Sequence, residues 1–352
     1  MAEAPSKGRG LYDKLVSEIE QAGLEVFELS GIEPNPRVSS VNRGAGICRQ
    51  EQIDVILAVG GGSTIDAAKC IGAAAHYDGD AWDLVTRTAP ITDCLPVVTV
   101  LTLAATGSEM NGTAVISNTE TNDKIGVGDP LMRPKVSFLD PTNTFTVSSF
   151  QTASGAADII SHILEVYFSM DHDLYMLDQV MEGMLRTVIK YAPIAMKEPD
   201  NYEARANLMW ASSWAINGFL VGGKQQAWSC HPMEHQLSAF YDITHGLGLA
   251  ILTPRWMQHV LDETTACKFH QFGCNVFGLD ASLEPMVVAK KSIEMLSDFF
   301  FHTLGLESSL SQVGIDAANF TEMAQKACKG GVINGFKPLN QQDVESIYRM
   351  SL

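Results

Sequence analysis

Ile53-Asp-Val-Ile-Leu-Ala-Val59 runs directly into Gly60-Gly-Gly-Ser63-Thr-Ile-Asp66-Ala-Ala-Lys69. The first half is apolar enough for a strand buried on both faces, as in a parallel sheet. The second half opens a helix that the periodicity carries from about Thr64 to Ala75. Gly60, Gly61 and Gly62 let the backbone approach a ligand closely, and the N–H groups and dipole of the helix start favour an anion such as a pyrophosphate. The spacing is neither a G-x-G-x-x-G fingerprint nor a P-loop. Glycine-rich strand ends are also ordinary turns. The position between a buried strand and a helix is what makes Gly60, Gly61, Gly62 and Ser63 candidate phosphate-binding residues. Asp66 is placed either to cap the helix or to bond a ligand hydroxyl.

Further along, Leu95-Pro-Val-Val-Thr-Val-Leu101 is a second buried strand. It delivers Thr102-Leu-Ala-Ala-Thr106-Gly-Ser108-Glu-Met-Asn111 to the same carboxyl edge of the sheet, where α/β folds bind ligands. The hydroxyl and amide groups of Thr102, Thr106, Ser108 and Asn111 suit ribose and phosphate, although the same residue types make ordinary polar loops. Lys124 reads either as a point charge near that site or as a solvated lysine. Toward the N-terminus, Leu11–Ala22 has helical spacing and Gly23 stops it. Leu24-Glu-Val-Phe-Glu-Leu29 alternates like a strand. Thr113–Ser117 and Val136–Leu139 are shorter strands.

These alternating elements predict a Rossmann-like α/β domain with a largely parallel sheet. From Gln151 onward, helical periods replace strands over 153–168, 174–192, 202–219, 231–240, 246–260, 284–304 and 341–350. We place the boundary so that residues 1–148 form the α/β domain and 149–352 an all-helical one. A chain of 352 residues suits two such domains.

Composition narrows the partners. A net charge of −17 argues against nucleic acid and anionic membrane, which need clustered Lys and Arg. No apolar run reaches the length of a membrane-spanning helix, and Met1–Gly10, with no apolar stretch, is not expected to act as a secretory signal. Seven cysteines, none in a CxxC pair, read as free thiols in a reducing, cytoplasmic setting.

The helical half concentrates metal-ligating groups. Asp158 and His162 are one turn apart on an apolar helix, hence on one face. An ionised carboxylate is not left unpaired in a core, and a metal would partner it. His231, His235 and His245 add three imidazoles within a short segment. That exceeds what tetrahedral coordination needs, so one histidine should stand beside the metal as a non-ligand. Spacing leaves open which one. Cys230 is read as a small buried residue.

Taken together, the sequence resembles the iron-containing (group III) alcohol dehydrogenases, in particular their butanol dehydrogenase-like, NADPH-dependent aldehyde reductase branch. The resemblance is carried by Glu33-Pro-Asn35-Pro-Arg37, Gly60-Gly-Gly-Ser63-x-x-Asp66-x-x-Lys69, Thr106-Gly-Ser108-Glu-Met-Asn111 and Leu139-Asp-Pro141. It continues through Gln151-Thr-Ala-x-Gly155-x-x-Asp158-x-x-x-His162, His231-x-x-x-His235, His245-Gly246 and Gly335-Phe-Lys-Pro-Leu339.

The resemblance implies that Asp158, His162, His231 and His245 bind one Fe²⁺ or Zn²⁺. It places His235 near the substrate as a non-ligand, either relaying a proton or only shaping the pocket. It places the dinucleotide on Asn35, Gly60, Gly61, Gly62, Ser63, Asp66, Thr102, Thr106, Ser108, Asn111 and Lys124, with NADPH favoured over NADH. The 1–148 domain then binds the dinucleotide, and the 149–352 domain binds metal and a small alcohol or aldehyde. Phe150, Trp228 and Phe240 are expected to line an apolar substrate pocket, and a homodimer is expected.

The resemblance departs at the N-terminus. The family opens with a further strand, a helix and a second strand ending in a Gly/Asp-rich turn that touches the cofactor, whereas here only Met1–Arg9 precede Gly10-Leu-Tyr-Asp-Lys-Leu-Val. At most Ser6-Lys7 would remain of that turn. Two other functions stay open on this reading. One is a metal-binding protein with impaired cofactor binding and little turnover. The other is a dehydroquinate synthase-like lyase, which would need more basic residues near the metal motifs.

Overall fold

The computed structural model describes residues 10–169, 174–222 and 228–352. The Ser6-Lys7 turn lies outside them. The chain divides into two compact units, residues 1–102 with 108–140 and residues 103–107 with 141–352.

In the first unit, α1 (Leu11–Gln21) starts after Gly10 and is followed by Gly23, both with left-handed φ. The stretch 24–29 is not a strand. Its alternation supplies a face, but no neighbouring strand among the described residues pairs with it, and Leu24 and Phe27 stay exposed. Helix α2 (Val38–Gln50) buries Val41, Gly44, Ala45 and Cys48, a stripe at helical spacing. Strand β1 (Ile56–Gly60) feeds α3 (Gly62–Ala74), which is buried on nearly every side. A short helix, α4 (Ala81–Val85), is capped by Asp80. Next come β2 (Val97–Leu101), β3 (Thr113–Asn118), β4 (Asp123–Gly128) and β5 (Val136–Phe138).

The expected parallel sheet is present with the order β1-β2-β5, and Gly60 pairs with Leu101. Thr113–Asn118 does not join it. It forms a separate antiparallel hairpin with β4, running from Thr113 opposite Gly128 to Asn118 opposite Asp123. Lys124 lies in that hairpin and is buried, not solvated.

The second unit is helical: α5 (Ser149–Tyr167), α6 (Tyr175–Lys197), α7 (Tyr202–Ile216), α8 (Cys230–Tyr241), α9 (His245–Val260), α10 (Ala266–Phe277), α11 (Pro285–Asp298), α12 (Phe320–Ala327) and α13 (Gln341–Met350). Helix α5 is the axis of this unit. Every residue from Thr152 to Tyr167 is buried, so its polar side chains must find partners within the protein. Two glycines let other backbone lie against it. A Cβ on Gly155 would stand 2.5 Å from the Ala104 carbonyl, and one on Gly246 would overlap the carbonyl of Ser154. That second approach holds the start of α9, and with it His245, against α5.

Candidate functional site

Helix α5 presents Asp158 and His162 one turn apart, α8 opens with His231 in its first turn, and α9 begins at His245. The Nε2 atoms of His162, His231 and His245 lie 3.7, 3.9 and 3.7 Å from a single oxygen, Asp158 Oδ1. These separations are too long for hydrogen bonds and suit donors that converge on a shared ion. Ligand atoms of Asp158, His231 and His245 all fall within 4.8 Å of one another. Among the described residues, Asp158 Oδ1 and His231 Nε2 are buried and have no hydrogen-bond partner, which would be costly without a ligand. The donor set, one carboxylate and three imidazoles, suits iron(II) or zinc. Burial lowers the His162 imidazole to about 3, which keeps it neutral as a ligand must be. The residues present therefore fit one divalent ion.

His235 is not in this set but adjoins it: its ligand atom and those of Glu234 and His245 form a second group within 4.8 Å of one another. Its ring centre is 5.8 Å from that of His245 and 6.3 Å from that of His231. Trp228 stands edge-on to His231 at 4.6 Å and to His162 at 5.9 Å, an apolar wall beside the imidazoles. Phe150 is exposed on the first turn of α5, and Phe240 lies beneath the Lys326 ammonium.

Two glutamates escaped the sequence reading. Glu165, two turns beyond Asp158 on the same face of α5, accepts bonds from the backbone N–H groups of Ser229, Cys230 and His231, at 2.7, 2.7 and 2.9 Å. It also meets His231 Nδ1 at 3.1 Å. Glu234, fully buried, meets His245 Nδ1 and accepts from the Ser238 hydroxyl. The signal for both was present: a carboxylate in step with Asp158 on an apolar helix, and another between His231 and His235.

In the α/β unit, Gly60, Gly61, Gly62 and Ser63 form the β1–α3 turn, and Thr102 donates its N–H to the Gly60 carbonyl at 3.0 Å. The start of α3 has no side-chain cap, so its first amides face the turn. A Cβ on Gly60 would collide with Thr64, which explains glycine there.

Asp66, Ser108 and Asn111 also come together, as a buried joint. Asp66 accepts from the Ser108 hydroxyl and from Val115 N–H at 2.9 Å. Lys69 donates to Asn111 Oδ1 at 3.1 Å and to the Thr113 carbonyl at 2.7 Å. Burial raises the Asp66 carboxyl and lowers Lys69 to about 8. Asn35 sits buried with left-handed φ just before α2. Thr106 falls in the segment 103–107 that belongs to the helical unit.

The sequence family described as iron-containing alcohol dehydrogenase matches residues 2–141, and the C-terminal domain of the Fe-containing alcohol dehydrogenase family matches residues 152–352. The chain belongs to the iron-containing alcohol dehydrogenase family.

Among relatives of this family member, NADH-dependent butanol dehydrogenase A of Clostridium acetobutylicum is 51% identical over 98% of this chain and 89% of its own length. The NADPH-dependent aldehyde reductase YqhD of Escherichia coli is 34% identical over 93% of this chain and 84% of its own. The crystal structure of NADH-dependent butanol dehydrogenase A from Thermotoga maritima superposes with a TM-score of 0.94 at 37% identity, covering 99% of this chain and 89% of that one. No helix among the described residues is long and apolar enough to cross a membrane.

Proposed function

We propose that this alcohol dehydrogenase interconverts small apolar aldehydes and alcohols at a divalent ion held by Asp158, His162, His231 and His245. The observation that carries the reading is the set of three imidazole Nε2 atoms around Asp158 Oδ1, a buried oxygen with no hydrogen-bond partner among the described residues. When bound, the ion supplies Lewis-acid polarisation of a substrate oxygen and the nicotinamide dinucleotide supplies or accepts the hydride.

The chain's own residues do the rest. Trp228 provides an apolar, water-excluding wall against His231 and His162. His235, beside the set but outside it, holds or passes a proton at a ring nitrogen. In the α/β unit, the uncapped start of α3 and the Gly60–Ser63 turn bind the pyrophosphate. Thr102 lies at the same edge and contributes to that site, and Asn35, Thr106 and Lys124 complete the reading. Asp66, Ser108 and Asn111 support it from the buried joint behind the turn. The α/β unit is thus the dinucleotide-binding domain and the helical unit the metal- and substrate-binding domain.

The resemblance favoured NADPH. The two relatives at 51% identity are named NADH-dependent and the one at 34% NADPH-dependent, and this gradient supports NADH as the better donor. A homodimer and a cytoplasmic setting belong to the same reading, the latter supported by seven cysteines without a disulfide. The test is oxidation of NADH and of NADPH with butanal, with and without a chelator. Metal-dependent turnover with either dinucleotide is expected. Its absence at saturating dinucleotide in metal-loaded protein would refute the proposal.

A further inference from the structure

Glu165 is not among the ligand residues, yet it is as buried as they are, with its side chain 3% exposed. Asp158, His162 and Glu165 share one face of α5. The Glu165 carboxylate is aimed at the start of α8, where Ser229 provides no side-chain cap. It takes three backbone N–H groups there, which the helix itself cannot satisfy, and the positive end of the helix dipole favours it.

Its fourth contact is with His231 Nδ1. An ionised carboxylate only accepts, so that contact is a bond only when Nδ1 carries the proton. Nε2 is then left with its lone pair, and Nε2 is the atom that faces Asp158 Oδ1. His162 offers a contrast, because its Nδ1 has no hydrogen-bond partner among the described residues.

We propose that Glu165 is a positioning residue for the metal centre: one carboxylate fixes both the start of α8 and the Nδ1–H tautomer of His231, presenting Nε2 as a ligand. The proposal rests on the metal-centre reading above.

The experiment measures zinc affinity by chelator competition on metal-free wild type, Glu165→Gln and Glu182→Gln, with thermal melts of each. Glu182 is the control, a fully buried glutamate bonded to Tyr167, Gln179, Gln271 and Asn275 and remote from the histidines in its contacts. Both variants are expected to melt lower than wild type. Only Glu165→Gln should also lose zinc affinity, by about tenfold to a hundredfold, as when a group orienting a ligand is removed. Wild-type affinity in Glu165→Gln would overturn the proposal, as would an equal loss in Glu182→Gln. A wild type that takes up no divalent metal would refute the metal-centre reading itself, a distinguishable outcome. If Glu165→Gln does not fold, ¹⁵N-histidine spectra of metal-free wild type read the tautomer directly. Nδ1–H at His231 is expected, and Nε2–H would overturn the proposal.

Discussion

At the scale of single residues, Lys69 shows what the α/β unit must hold together. Its ammonium is fully buried, bonded to Asn111 and the Thr113 carbonyl, with Asp66 at 3.9 Å. Lys69→Met leaves Asp66 without that cation and should cost about 3–5 kcal/mol, the usual penalty for removing one partner of a buried pair. Urea unfolding measures it. The pH dependence has a definite sign. Burial lowers Lys69 to about 8 from the ordinary 10.5, so between these values the unfolded chain binds more protons than the folded one. The Lys69 contribution to stability therefore rises with pH across that window, and Lys69→Met should abolish the rise.

Beside the proposed metal ligands, His235→Ala should lower kcat on the order of a hundredfold to ten-thousandfold if its imidazole relays a proton. Steady-state rates with butanal decide it. Asp158 and His162 could be read from the sequence because a carboxylate and an imidazole one turn apart on an apolar helix need an explanation. Glu165 obeys the same spacing, but a carboxylate that binds backbone N–H groups of another helix leaves no further mark in the sequence. The histidine standing apart could not be chosen from spacing, since His231, His235 and His245 differ by where two helices cross.

Among the elements, those with strong periodicity were legible. The stretch 341–350 matches α13, and 231–240 and 246–260 fall within α8 and α9. Strand β4 was not, because Asp123, Lys124, Gly126 and Gly128 have poor strand propensity and pairing with β3 overrides it. Helix α2 carries two glycines, two serines and an asparagine, and forms because Val41, Ala45 and Cys48 bury. The 24–29 stretch failed in the opposite direction, with strand-like alternation but no strand beside it among the described residues. The Gly246 approach of α9 to α5 yields a prediction at this scale. Gly246→Ala places a methyl inside the Ser154 carbonyl, so the helices must part. A loss of about 1–3 kcal/mol is expected from overpacking. Metal content should fall with it, because His245 begins the displaced helix.

For the whole molecule, the proposed metal would tie α5 to the consecutive helices α8 and α9, which lie far from it in sequence. Binding to the folded state alone stabilises it by mass action, about 2.7 kcal/mol when free metal is a hundred times its Kd. Chelation should therefore lower the melting temperature of wild type, and less so that of His231→Ala, as calorimetry would show. The change from strands to helices near residue 150 exposed the two-part organisation, because sheet and helix periods differ. The placement of 103–107 with the helical unit was hidden, since it depends on Ala104 and Gly107 meeting α5 and α7. The central claim is that Asp158, His162, His231 and His245, and not His235, hold the metal. Metal analysis of purified His231→Ala and His235→Ala tests it most directly. Metal should be lost in the first and retained at the wild-type level in the second. Equal loss in both would contradict the assignment.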